Sequence, residues 1–123
     1  MRPVVAAVLF MSTCQVTQPS SAEYVVAYRL TAESGISCDS VKYENALGDI
    51  VKVTAPTLPW SYAYLGSVGT YLQATAWVTA TGAGQEVKLK ATWTAGGRTA
   101  ADSSFGSSGG AGKFTLSVAR RRL

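Results

Sequence analysis

Val87-Lys88-Leu89-Lys90-Ala91-Thr92-Trp93-Thr94 is the stretch on which the fold turns, because apolar and polar residues alternate one for one along it. A period of two puts successive side chains on opposite faces of an extended strand, whereas a helix would scatter both sets around its circumference. The stretch therefore predicts a half-buried antiparallel strand with Val87, Leu89, Ala91 and Trp93 inward and the lysines outward as solubilising charges. Gly96-Gly97 follows, a pair able to take the positive φ angles of a tight hairpin turn, so the chain is expected to return as a strand over Arg98 to Phe105.

The same pattern recurs outward from there. Upstream, Leu72, Ala74, Ala76 and Val78 alternate with Tyr71, Gln73, Thr75 and Trp77, and Trp60, Tyr62 and Tyr64 share one face of an earlier strand. Tyr24, Val26, Tyr28 and Leu30 mark a first strand, and Ile36, Cys38, Val41 and Tyr43 a second with Asp39-Ser40 as a bulge. Glu44 to Asp49 has hairpin character and leads into Ile50 to Thr54, while Pro56 and Pro59 make Ala55 to Pro59 a crossover or sheet edge. Downstream, Gly106 to Gly112 reads as a flexible loop, Phe114, Leu116 and Val118 as a closing strand, and residues 120–123 as a basic, solvated tail whose arginines are suited to anionic head groups. About seven to eight strands spaced by turn signals roughly every ten residues predict an all-β, immunoglobulin-like antiparallel sandwich over residues 23–119.

Composition narrows the chemistry. Charged residues make up only 15% of the chain, and the net charge of +4 is scattered apart from Arg120, Arg121 and Arg122, so nucleic acid is not expected as a partner. Histidine is absent, which removes the commonest general base and metal ligand. The seven acidic residues stand singly, without the convergence that a glycosidase pair needs. Asp39, Glu44 and Asp49 surround one hairpin but lack the dense oxygen spacing of a calcium loop, and no Ser-x-x-Lys occurs. The expectation is a domain that is not an enzyme, with no metal and no cofactor.

Residues 1–14 carry one positive charge, then an apolar run far shorter than the ~20 residues of a spanning helix, and end in Met11-Ser12-Thr13-Cys14. That ending resembles a bacterial lipobox, which implies an export signal and lipidation of Cys14, with an ordinary secretory leader and a buried first strand as the alternatives. Residues 15–22 are polar and aperiodic and suit a tether. Cys38 reads as a small buried hydrophobe if Cys14 is acylated, and a Cys14–Cys38 disulfide is the competing arrangement.

Tyr28-Arg29-Leu30-Thr31, Val41-Lys42-Tyr43-Glu44-Asn45 and Leu58-Pro59-Trp60-Ser61 resemble, in order and spacing, the soluble domain of the mycobacterial membrane protein small (MmpS) family. The likeness continues through Val87 to Phe105 and Phe114 to Val118. It implies an immunoglobulin-like sandwich on the outer side of a membrane, acting as an accessory to a large exporter. The family is anchored by a transmembrane helix, and its later strands often hold a cysteine pair where this chain has Ala91 and Ser117. Pro59 and Trp60 have a structural reading as well, the proline ending one segment and the indole filling core at the start of the next.

These readings converge on a non-catalytic accessory or binding domain, lipid-anchored in a bacterial cell envelope and facing the periplasm or exterior, with a transporter or other envelope protein as its partner. The alternative is a stand-alone module that binds glycan or peptide through Tyr71, Gln73 and Trp77, unless that face is covered by another sheet or loop.

Overall fold

The computed structural model describes residues 23–123, so the leader, Cys14 and the tether lie outside the described residues. Eight strands and no helix occur among them: β1 (Glu23–Ala32), β2 (Ile36–Glu44), β3 (Ile50–Thr54), β4 (Trp60–Ser67), β5 (Tyr71–Ala80), β6 (Ala83–Ala95), β7 (Arg98–Gly109) and β8 (Gly112–Arg122). They form two antiparallel four-stranded sheets, ordered β4-β1-β6-β7 and β3-β2-β5-β8. The molecule is a β-sandwich. The chain changes sheet at every connection except the β2–β3 and β6–β7 hairpins. Strands β1 to β5 and β8 follow the order and pairing of strands B, C, C′, E, F and G of an immunoglobulin-like sandwich. The β6–β7 hairpin occupies the side of β1 where such sandwiches carry their first strand.

The core is the inward set of the alternating strands. Val26, Tyr28 and Leu30 of β1 and Val87, Leu89 and Ala91 of β6 face Val41 of β2, Leu72, Ala76 and Val78 of β5, and Leu116 and Val118 of β8, all buried. Burial of each large aliphatic side chain contributes about 1.5–3 kcal/mol, and the two sheets bury one face each because the period is two. Gly96 and Gly97 have φ values of 58° and 76°, as the turn requires. The Asp39–Ser40 irregularity is a real break in register between β2 and β5. Pro56 and Pro59 lie in the crossover from β3 to β4, both edge strands, and the Leu58–Pro59 bond is cis.

Cys38 is buried at 5% exposure and unbonded to sulfur among the described residues. Its thiol donates weakly towards the carbonyls of Ser40 and Trp77, and burial pushes its pKa up to about 11. The partner in the alternative disulfide, Cys14, lies outside the described residues.

Two expectations are corrected. The segment from Gly106 is not a loop as far as Gly112: β7 stays paired with β6 as far as Ala83↔Gly109, leaving only Gly110 and Ala111 as the turn. Small residues are used here for their size. A Cβ on Gly106 would lie 2.6 Å from Cε2 of Phe114. The Ser108 hydroxyl accepts from the Gln85 N–H at 2.9 Å and donates to the Gly82 carbonyl, filling the bulge in β6. Nor is 120–123 a solvated tail, since β8 runs to Arg122 and the Leu123 backbone is bonded to Thr70 and Gly69.

At the free edge of the first sheet, Asp102 of β7 is paired with the fully buried Ala91 and so takes the core-facing register of an edge strand. Gly106→Ala is expected to destabilise the domain by about 1–3 kcal/mol through overpacking against Phe114, read as a lowered midpoint of urea unfolding with unchanged slope.

Candidate functional site

The outer face of the β3-β2-β5-β8 sheet carries Tyr71, Gln73, Thr75 and Trp77, as their alternation with four buried neighbours dictates. The structure does not leave the three candidate residues equivalent. Tyr71 and Gln73 belong to an internal polar cluster, and Trp77 stands apart, about 13 Å from Gln73 and about 20 Å from Tyr71 along the strand at the usual rise.

The cluster originates in a bulge. Between Leu72↔Arg121 and Ala74↔Val118, β5 contributes one residue and β8 two. Simple alternation after Phe114, Leu116 and Val118 would point Arg120 into the core, and the extra residue turns it outward instead. Its guanidinium then lies 3.7 Å from the Tyr71 ring centroid and grips Glu44 with both arms, Nε to Oε1 at 3.1 Å and Nη2 to Oε2 at 3.2 Å. Glu44, which the sequence places at the start of a polar hairpin, is only 2% exposed. The Gln73 side-chain amide donates to the same carboxylate at 3.1 Å. This pairing raises the Arg120 pKa above its ordinary value.

The bulge leaves the Gln73 backbone N–H without a ladder partner, and it donates to the Tyr28 hydroxyl at 3.2 Å. That hydroxyl reaches across from the other sheet, donates to the Glu44 carbonyl at 2.8 Å and lies 3.2 Å from the Tyr64 hydroxyl. Burial is the main cause holding the Tyr28 phenol far above its usual pKa. Around it, Tyr43 contacts Tyr28, Trp60, Tyr62 in tilted ring pairs with centroids 5.7, 5.5 and 4.5 Å apart. Trp60 and the neighbouring Leu58 are part-buried against the core, beside Pro59, which is exposed.

A second satisfied cluster closes the opposite end of the face. Thr79 donates to Asp39 at 2.8 Å, and Lys113 Nζ reaches Asp39 at 3.2 Å and Thr79 at 3.1 Å. The Thr79 bond, followed by Lys113, holds the Asp39 carboxyl below its ordinary pKa despite partial desolvation.

Between the two clusters lies the part of the face that the sequence reading did not single out. Lys42 of β2 and Lys52 of β3 are directly opposite in register and both exposed. Neither makes a salt bridge among the described residues, because Asp39 and Glu44 are taken by Lys113 and Arg120. Lys42 Nζ lies 5.6 Å from the Trp77 ring centroid, and Trp77 is flanked in register by Ser40 and Thr115. A shallow cleft of about 260 Å³ is lined by Ser40, Lys42, Lys52 and Trp77. No group of three or more potential metal ligands comes together among the described residues.

The opposite outer face, on the β4-β1-β6-β7 sheet, differs in character. Val25 and Leu65 are cross-strand partners, 50% and 60% exposed, and the next row is Ala63, Ala27, Thr92 and Ala101. It is a flat strip of apolar and small side chains. The chain matches no known family model, and no curated protein matches it.

Two measurements test the clusters. Tyr28→Phe is expected to lower stability by about 1–3 kcal/mol in chemical denaturation, since it leaves the Gln73 N–H and Glu44 carbonyl buried without a partner. Asp39, with a depressed folded-state pKa, stabilises above the unfolded value of about 3.9 and loses that contribution as pH falls through the folded value. Asp39→Asn should therefore flatten the acid limb of the stability–pH curve below about pH 4, recorded by thermal unfolding across a pH series.

Proposed function

We propose that this protein is a non-catalytic binding domain displayed on a bacterial cell envelope, held to the membrane by a lipid on Cys14, and serving as accessory to a transporter or another envelope protein. The observation that carries the accessory role is the flat strip around Val25 and Leu65. Exposed apolar side chains contiguous across β4 and β1 favour docking against a protein surface, and the small side chains of Ala27, Ala63 and, beyond Thr92, Ala101 let that surface approach closely. The lipobox-like ending at Cys14 and the MmpS-like segments support the setting. The non-catalytic reading rests on the lack of histidine and on the use of Asp39 and Glu44 as ion-pair partners.

A second reading, a module that binds saccharide or peptide, is favoured by Trp77 with its two unpaired lysines. The two readings use opposite faces and are compatible in one molecule.

Radiolabelled palmitate should enter the wild-type chain and not Cys14→Ser, and mass spectrometry should find the acylated cysteine at the mature N-terminus. Unlabelled wild-type protein would remove the anchor. Crosslinked membranes should yield a transporter subunit with the wild type, and Leu65→Glu should lose it while keeping the wild-type thermal midpoint.

A further inference from the structure

We infer that the centre of the β3-β2-β5-β8 face binds an acidic polysaccharide, with Lys42 and Lys52 receiving the carboxylate of one sugar and Trp77 stacking on its ring. This deepens the second reading above and rests on it.

Charge is the first argument. Like charges directly opposite on neighbouring strands destabilise a sheet. Towards the two ends of this face Lys113 is paired with Asp39 and Arg120 with Glu44, and Arg122, opposite Tyr71, is the one end cation without a carboxylate among the described residues. In the middle, Lys42 and Lys52 face each other with no acid between them among the described residues. An anion placed there from outside would relieve the repulsion.

Shape and surroundings select the kind of anion. The cleft at Trp77 falls below the ~300–1,000 Å³ of sites for drug-sized ligands, which suits a single ring. It shares Lys42 with a second depression of about 150 Å³ lined by Tyr43, Ile50, Gln73 and Thr75. A third, of about 340 Å³, continues from Glu44 to Tyr71. The three follow β5 from Trp77 towards Tyr71, a track for several units of an extended polymer. Besides the lysines, the groups nearest Trp77 are the hydroxyls of Ser40, Thr75, Thr115 and Ser117, with Thr75 and Ser117 3.4 Å apart, and the Gln73 amide and Tyr71 ring follow further along. Aromatic rings interleaved with hydroxyls suit the apolar faces and hydroxyl edges of sugars. Beside the lysines, Ile50 is the one large aliphatic exposed among the described residues, while Leu47 and Val68 border only the far depression. Lys42, Lys52 and Arg122, the cations of this face outside ion pairs among the described residues, are also fewer than the phosphate contacts that sustain nucleic-acid binding.

Isothermal titration of the full chain with hexagalacturonate, and with the same hexamer methyl-esterified, tests the assignment. The acid should bind saturably and the ester at least tenfold more weakly. Lys42→Gln and Lys52→Gln should each weaken the acid at least fivefold, and Trp77→Ala should abolish saturable binding while Trp77→Tyr retains it. Arg29→Gln, a charge-matched control on the opposite face, should stay within twofold of wild type. Circular dichroism confirms the fold of each variant. No saturable binding of the acid overturns the proposal, as does equal binding of the ester. A loss in Lys42→Gln and Lys52→Gln no greater than in Arg29→Gln overturns it as well, and so does displacement of the hexamer by an acidic peptide or by phosphatidylglycerol vesicles at lower concentration. A chain that takes up palmitate and captures its transporter but ignores the hexamer would lose the polysaccharide site and keep the accessory role.

Discussion

The Tyr28 hydroxyl joins the two sheets by hydrogen bonds at the point where the β5–β8 ladder breaks. A bulge leaves backbone groups unsatisfied, and a buried N–H without a partner costs on the order of 1–3 kcal/mol. Tyr28 comes from the other sheet, accepts from the freed Gln73 N–H and donates to the Glu44 carbonyl. Because this one oxygen serves β1, β2 and β5, the separation and alignment of the sheets are coupled to the bulge. The bulge in turn brings Arg120 out over Tyr71 and onto Glu44. A buried carboxylate is tolerated only with such a partner and with further donors on its oxygens, of which the Gln73 amide supplies one.

This arrangement divides the outer face of the sheet. Its ends are closed by side chains that satisfy one another, Glu44 with Arg120 and Asp39 with Lys113 and Thr79. The middle keeps unsatisfied charge beside an aromatic ring. A face anchored at both ends holds the backbone of its centre in place, and preorganisation of this kind would reduce the entropic cost of the association proposed there.

What was legible in the chain follows from the same physics. Alternation identified the inward sets of β1, β5, β6 and β8 because burial of one face leaves a period of two in the sequence, and it identified the Asp39–Ser40 irregularity because Cys38 and Val41 fall out of step. The strand from Gly106 to Gly109 was illegible, since glycine and serine signal turns by composition while here they are selected by the Phe114 ring and the β6 bulge. Arg120 and Glu44 were illegible for a different reason: a one-residue bulge inverts every side chain beyond it, and the two partners are far apart in sequence. Trp77 was read correctly onto the outer face with Tyr71 and Gln73, but register alone carries no information about which of them the protein uses internally. Lys42 and Lys52 passed as ordinary surface charges because their juxtaposition exists only once β2 and β3 are paired.

The carboxylate of Asp102 has a consequence for the molecule in company. An edge strand of twelve residues offers unpaired amides and carbonyls to any neighbour, and copies each docking the opposite edge, β4, on the β7 of the next would extend the sheet indefinitely. Such an extension would draw the core-facing side of β7 into a continuous dry interior, where Asp102 would lose its water without gaining a cation. Crowded copies are thereby discouraged from zipping into fibrils along the side of the sandwich that has no other guard.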